Sequence, residues 1–222
     1  MKILRPSNNY VAGIFFPIGR LETGGTCQYA SDRCLEECYG LNKHYDVTVD
    51  ISEDDKQQIY KFIIEKSLLT ICTAIITEME GMQAKILSWF CTGDCPDKDI
   101  DKIWEIIRLL EQEGIIQNGF TRNIDFYHAV HNLAPHIVLT VESKDIDDTP
   151  ESIDPENGLW AIPDYGKGEV KLYQGTLAYK KEYGSCGWHT TKIIKADLKE
   201  IEIATNCYGC YKQKIGCFIN KK

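Results

Sequence analysis

The chain lacks several features that would settle its class at once. No run of about 18 apolar residues occurs, so no transmembrane helix is expected. Met1 to Pro6 is followed by Ser7, Asn8 and Asn9, and the apolar stretch Gly13-Ile14-Phe15-Phe16 is cut by Pro17. That leaves no signal-peptide core, and a cytoplasmic location is expected. There is no nucleophile elbow, no Rossmann fingerprint and no phosphate-binding glycine loop, since Gly166-Lys167-Gly168 is too short to cradle a phosphate. A hydrolase or transferase of the common α/β kinds therefore finds little support. A basic surplus is missing too: 25 Lys and Arg stand against 33 Asp and Glu, for a net charge of -8. This disfavours nonspecific attraction to nucleic acid or to an anionic membrane. Neither repeats nor low-complexity tracts divide the chain.

What is abundant is cysteine, ten in 222 residues. In a reducing compartment such sulfurs read as metal ligands or reactive thiols before they read as disulfides. Their order along the chain follows an alternation of strands and helices. Tyr10 to Phe16 is expected to form a buried strand running into a glycine-marked loop with Cys27, Cys34 and Cys38. Ser52 caps an expected helix that continues to about Met79, with Ile59, Phe62, Ile63, Leu69 and Ile76 at helical spacing. Ala84 to Phe90 reads as a second strand, stopped by Thr92-Gly93-Asp94-Cys95-Pro96. A second helix carries Ile103, Ile106, Ile107 and Leu110 on one face and stops at Gly114. A strand from Ile115 to Phe120, a short helix over residues 124 to 132 and a strand from His136 to Val141 complete the regular part. Strands separated by such helices imply an α/β fold with a mainly parallel sheet, open or curled into a partial (β/α) barrel. Residues 1–145 would form this core. Residues 146–222 would form a Cys-rich C-terminal extension packed on it, with short strands at Leu159 to Ile162 and Val170 to Leu177 and a helical or irregular tail from Thr190.

In parallel α/β folds, ligands bind at the carboxyl ends of strands, where side chains and helix N-termini converge. Here those ends carry the three-cysteine loop, Thr92-Gly93-Asp94, Thr121-Arg122-Asn123 and Glu142-Ser143. The same polar residues could instead cap the helices that follow. Cys27, Cys34 and Cys38 are separated by six and three residues; three thiolates on a four-iron cluster leave one iron open to a small molecule. His44, six residues beyond Cys38, would complete a tetrahedral zinc site instead. Cys186, Cys207, Cys210 and Cys217 form a second group, suited either to a closed cluster or to zinc. Cys91 and Cys95 bracket the Gly93-Asp94 turn as further ligands, a redox pair or small buried side chains. Cys72 belongs to the core face of the first helix. His128 and His131 share a helix face without a carboxylate partner.

Taken together, Thr26-Cys27, Cys34, Cys38-Tyr39, Ser88 through Gly93-Asp94, Thr121-Arg122-Asn123, Val141-Glu142-Ser143 and the tail cysteines resemble the radical S-adenosylmethionine (radical SAM) superfamily. The resemblance is nearest to short, divergent members carried by phages and mobile elements, and it runs through short motifs between residues 10 and 217. It implies a [4Fe-4S] cluster on Cys27, Cys34 and Cys38, with S-adenosylmethionine chelating the open iron. One-electron reduction, fed by a partner electron donor, would cleave that cofactor to a 5'-deoxyadenosyl radical acting on an unknown substrate. Gly93 and Asp94 would take the place of the turn that contacts the methionyl amino group. Arg122 would pair with the carboxylate, Glu142 or Ser143 with the ribose, and Tyr39 would pack near adenine. A second cluster would occupy the tail. The superfamily's usual loop has three and then two residues between cysteines, where this one has six and three. The reading from a different class is a zinc-binding structural or adaptor protein with two cysteine-based sites.

Overall fold

The computed structural model describes residues 2–8, 11–36, 38, 40–41, 51–134 and 136–140, together with the strands at 159–161, 172–174, 192–196 and 199–203. The chain divides into two units, Met1–Ile137 and Val138–Lys222.

The first unit is of α/β type with a mostly parallel sheet. Its strands are β1 (Arg5–Asn8), β2 (Val11–Phe15), β3 (Ile86–Thr92) and β4 (Ile116–Thr121), in that spatial order. β1, which the sequence pattern did not reveal, lies antiparallel to β2, whereas β2–β3 and β3–β4 are parallel. All five β2 residues are buried, as the continuous apolar run requires of a central strand in such a sheet. Register sorts the faces. Ala12, Ile14, Leu87 and Trp89 join the helices in one hydrophobic cluster, while Val11, Phe15 and Ile86 are buried outside it. Gly13, Ser88 and Asn118 align across the three parallel strands on that second face.

The helices are α1 (Asp32–Glu36), α2 (Glu53–Glu65), α3 (Leu68–Gly81), α4 (Ile100–Gln112) and α5 (Ile124–Val130). α2 begins as its sequence demands: the Ser52 hydroxyl accepts from Asp55 N at 3.1 Å, and Glu53, Asp54 and Asp55 face the positive end of the helix. It does not run on to Met79. Lys66 and Ser67 adopt extended backbone, and Ser67 caps a new helix by accepting from Thr70 N at 3.2 Å. The break rotates the register, so Ile71, Cys72, Ile75 and Met79 face the core and Leu69 is 77% exposed, against its expected core position. α4 buries Ile103, Ile106, Ile107 and Leu110, the stripe the sequence predicts.

β5 (His136–Thr140) spans the boundary between the units. In the second unit its Leu139 and Thr140 pair in parallel with Trp160 and Ala161 of β6 (Leu159–Ala161), and β6 pairs antiparallel with β7 (Leu172–Gln174). The expected helical or irregular tail is instead an antiparallel pair, β8 (Lys192–Ala196) and β9 (Lys199–Ile203), in register from Lys192↔Ile203 to Ala196↔Lys199. Lys199-Glu200-Ile201-Glu202-Ile203 alternates with the period of two that strands require, and Ile194 lies opposite Ile201. Among the described residues, no helix is long and apolar enough to cross a membrane.

Two substitutions separate the observed packing from the continuous helix. Ile63→Ala, at a fully buried site, should cost about 2–5 kcal/mol, whereas Leu69→Ala should stay within about 0.5 kcal/mol. Urea midpoints check both, and equal losses would mean that Leu69 faces the core.

Candidate metal and cofactor site

The carboxyl ends of β2, β3 and β4 converge through a network of short polar contacts. Pairing of β2 with β3 continues past the strand: Phe16 N donates to Thr92 O at 2.9 Å, and the Thr92 hydroxyl donates to Phe16 O at 2.8 Å. The chain then makes a loop over residues 17–26 and returns to its own start. Thr26 donates to Pro17 O through both its backbone N, at 3.1 Å, and its hydroxyl, at 3.0 Å. The same hydroxyl accepts from Asp94 N at 3.1 Å, which fastens the cysteine loop to the end of β3. Gly93 makes this approach feasible. Its φ is +78°, and a Cβ there would stand 2.6 Å from Thr26 Oγ1 and 2.5 Å from Phe16 Cβ, closer than any side chain allows.

Asp94 carries the network on to β4. Its Oδ1 accepts from the Thr121 hydroxyl at 2.6 Å and from Cys95 N at 2.7 Å; its Oδ2 accepts from Arg122 N at 2.8 Å. Burial lifts the carboxyl to about 6, and these hydrogen bonds and the Arg122 charge pull it back only in part. Asn123 is fully buried and caps α5, with Oδ1 accepting from Phe126 N at 3.0 Å, while its Nδ2 donates to Cys95 O at 2.9 Å and Asp97 Oδ1 at 2.8 Å. Asp97 Oδ2 in turn accepts from Gln28 Nε2 at 2.7 Å and Tyr29 Oη at 2.6 Å, so the two residues after Cys27 are also pinned. The Tyr29 bond holds the Asp97 carboxyl below its ordinary range and raises the phenol to about 12.

The three N-terminal cysteines sit on this frame, each half-buried with a free thiol. Cys27 N donates to Gly19 O at 2.8 Å. Cys34 lies in α1, started by Ser31, whose hydroxyl accepts from Cys34 N at 3.1 Å; Cys38 follows one helical turn later, its N donating to Leu35 O at 3.4 Å. Cys38 thus lies two residues beyond the end of α1. Just beyond, Gly40 passes so near β3 that a Cβ would lie 2.7 Å from the Thr92 methyl.

The thiols sense one another. Burial pushes Cys27 up to about 12; a Gly19 backbone hydrogen bond counters this, and the charges of Asp94, Cys38 and Cys34 add to it. Cys38 is raised by burial first and then by Cys34, with Gly40, Leu41 and Lys56 opposing. Burial is the main reason that ionising these thiols is unfavourable, as it is for Cys72 and Cys95. Among the described residues, no three Cys, His, Asp or Glu side chains are grouped as ligands for one metal ion. In a four-iron cluster each thiolate holds its own iron, so the donors do not meet at one point.

Of the other sequence-derived site residues, Gly93, Asp94 and Arg122 stand at this rim, with the Asp94 carboxylate engaged by protein donors. Tyr39, His44, Glu142, Ser143, Cys186, Cys207, Cys210 and Cys217 lie outside the described residues. Cys95 is fully buried, its thiol 3.5 Å from Pro96 O, and burial raises it steeply; Cys91 is half-buried, its sulfur 3.7 Å from Ser88 O. Cys72 packs in the hydrophobic cluster. A cavity of about 400 Å³ flanks the cysteine loop, lined by Ile18, Arg20, Leu35, Leu41, Glu53 and Gln57 among others, within the size range of small-ligand sites. Sequence reasoning passed over Lys56, although its place on the α2 stripe with Ile59 and Ile63 was a signal: a charge where an apolar residue belongs.

Because the native Asp94 carboxyl lies above the ordinary value near 4, its share of stability is full below about pH 4. That share is withdrawn as the pH rises through about 6, in all by ~3 kcal/mol. In metal-free protein, the urea midpoint should fall between pH 4 and pH 7, and Asp94→Asn should flatten that slope; an unchanged slope would overturn the assignment. Comparison with family models, with curated proteins and with solved structures gives no match, so the purpose of this site rests on its own chemistry.

Proposed function

We propose that this protein is an iron-sulfur enzyme of the radical SAM kind, with Cys27, Cys34 and Cys38 holding a [4Fe-4S] cluster at the carboxyl end of β2. The observation that carries the proposal is the mutual placement of three half-buried thiols, within electrostatic reach of each other and of Asp94, on a loop fastened to the ends of β3 and β4. The mostly parallel sheet with its polar carboxyl rim is compatible with a partial barrel of that type. When bound, the cluster and S-adenosylmethionine would supply reductive cleavage of the cofactor's carbon–sulfur bond and a primary carbon radical.

The chain's own residues have narrower tasks. Thr26 and Gly93 set the height of the loop above the sheet, and Asp94 fixes the spacing of the three strand ends. Asp94 Oδ2, with one donor in place, keeps capacity for a second, the cofactor's ammonium in this reading. Arg122, next to it, supplies the positive charge for a carboxylate. Tyr39 for adenine, Glu142 or Ser143 for the ribose, and a second cluster on Cys186, Cys207, Cys210 and Cys217 complete the proposal. Reduction would draw on a low-potential one-electron donor, and the substrate is a separate molecule.

Anaerobic reconstitution with iron and sulfide, followed by metal analysis, tests this. Wild-type protein should hold iron and sulfide in equal amounts, and Cys34→Ala should lose roughly half of both, the tail cluster being spared. Under dithionite, wild-type protein should convert S-adenosylmethionine to 5'-deoxyadenosine and methionine, and Cys34→Ala should not. Zinc without iron after reconstitution would replace the proposal with a zinc-stabilised adaptor. Iron without cofactor cleavage would reduce it to an electron-transfer or binding role.

A further inference from the structure

An acidic residue at a helix start ordinarily serves that helix, by capping it or by facing its positive end. Asp97 opens the short turn Asp97–Asp99 that leads into α4, yet its carboxylate reaches elsewhere. Oδ2 accepts from Gln28 Nε2 at 2.7 Å and from Tyr29 Oη at 2.6 Å, and Oδ1 accepts from Asn123 Nδ2 at 2.8 Å. Asp97 N donates to Gln28 Oε1 at 3.0 Å, so Gln28 is held by both ends of its amide. None of these bonds closes the turn or the helix behind it.

The turn itself is firmly seated. Asn123 is fully buried and ties Asp97 to the start of α5. Asp99, 4% exposed, accepts from Tyr60 Oη at 2.5 Å, and the Tyr60 ring packs edge-on against Phe16 with centroids 5.2 Å apart. From this seat Asp97 grips the two residues directly after Cys27. Cys27 therefore stands between two fastenings, Thr26 on Asp94 N at 3.1 Å before it and the Asp97 clamp after it. Cys34, by contrast, takes its backbone contact from Ser31 in its own turn, at 3.1 Å. The Thr26 fastening is buried, whereas the clamp lies at the surface. A hydrogen bond exposed to water adds little net stability but still restricts the chain that makes it. Such a clamp orders the loop without being required by the fold.

We propose that Asp97 is a positioning residue for Cys27: through Gln28 and Tyr29 it holds the segment bearing this thiol against the rim, so that the first of the three thiols is preset before any metal binds. The bearing of this clamp on cofactor chemistry rests on the iron-sulfur reading above, whereas the placement of the thiol does not. Partners that orient a metal's ligands affect retention of the metal strongly, commonly by tenfold or more.

Timed alkylation of the metal-free full-length protein with iodoacetamide, read at each cysteine by peptide mass spectrometry, tests the placement. Asp97→Ala should speed modification of Cys27 by about fivefold or more, the equivalent of one net hydrogen bond, and leave Cys34 unchanged. Asp97→Asn, which keeps an acceptor oxygen, should fall between Asp97→Ala and wild type. Tyr29→Phe removes one donor from an exposed ring and should give a smaller rise at Cys27, which keeps the inference testable if Asp97→Ala fails to fold. No rise at Cys27 in a folded variant, or an equal rise at Cys34, would overturn the role of Asp97. After reconstitution, the cluster's visible absorbance should be lost to a ferrous chelator about tenfold faster in Asp97→Ala than in wild type. An unchanged rate would overturn the link between the clamp and the cluster. Wild-type protein that takes up no iron would instead overturn the iron-sulfur reading, and the alkylation rates would then decide the role of Asp97 by themselves.

Discussion

The hydroxyl of Thr26 is the contact on which the arrangement of the site depends. It is a single atom with two obligations, donating to Pro17 O and accepting from Asp94 N, so it closes the cysteine loop on itself and on the next strand at once. Asp94 then passes the constraint to Thr121 and Arg122 at the end of β4. The energetics of that carboxylate show what the network is for. Three donors reach it, yet burial still outweighs them and its carboxyl stays well above the ordinary range. A group kept at a net cost, with Gly93 required at positive φ to let the hydroxyl in, is holding geometry rather than adding stability.

Electrostatics carries the same logic into the loop. Burial disfavours the Cys27 thiolate most, a Gly19 hydrogen bond is the main offset, and a carboxylate and two further thiols add to the burial. Burial acts the same way on Cys72 and Cys95, and what sets Cys27 apart is the added charge of the two neighbouring thiols.

How much of this was legible in the sequence follows from which signals are local. The α4 stripe of Ile103, Ile106, Ile107 and Leu110 and the buried run of β2 are periodic, and they appear as expected. The rule that polar residues collect at strand ends brought Gly93, Asp94, Arg122 and Asn123 to one rim. The helix expected through Met79 failed because the apolar spacing survives the break, and only Ser67, a capping residue in mid-pattern, marks it. The tail failed for a related reason: its five-residue alternations are short enough to be lost among lysines and glutamates. Lys56 drew no reading, although its spacing from Ile59 and Ile63 places it on the buried stripe.

One feature of the rim had no sequence signal at all. Gly13 of β2 pairs with Ser88 and Phe15 with Thr92, so two steps along β2 match four along β3. The extra residues are taken up where Phe90 adopts φ +51°, a conformation unfavourable for a bulky side chain. The bulge has a visible return. Trp89 and Phe90, adjacent in a strand, would normally face opposite sides; here both lie in the helix-side cluster, Phe90 meeting Phe16 and Phe126 edge-on at 5.5 Å and 5.4 Å. It also carries the Cys91 sulfur across to Gly13, where a Cβ would come within 2.6 Å of it. The strain in Phe90 thus sets where β3 delivers Thr92, Gly93 and Asp94. The height of the whole polar rim follows from a backbone kink that propensity and periodicity do not encode.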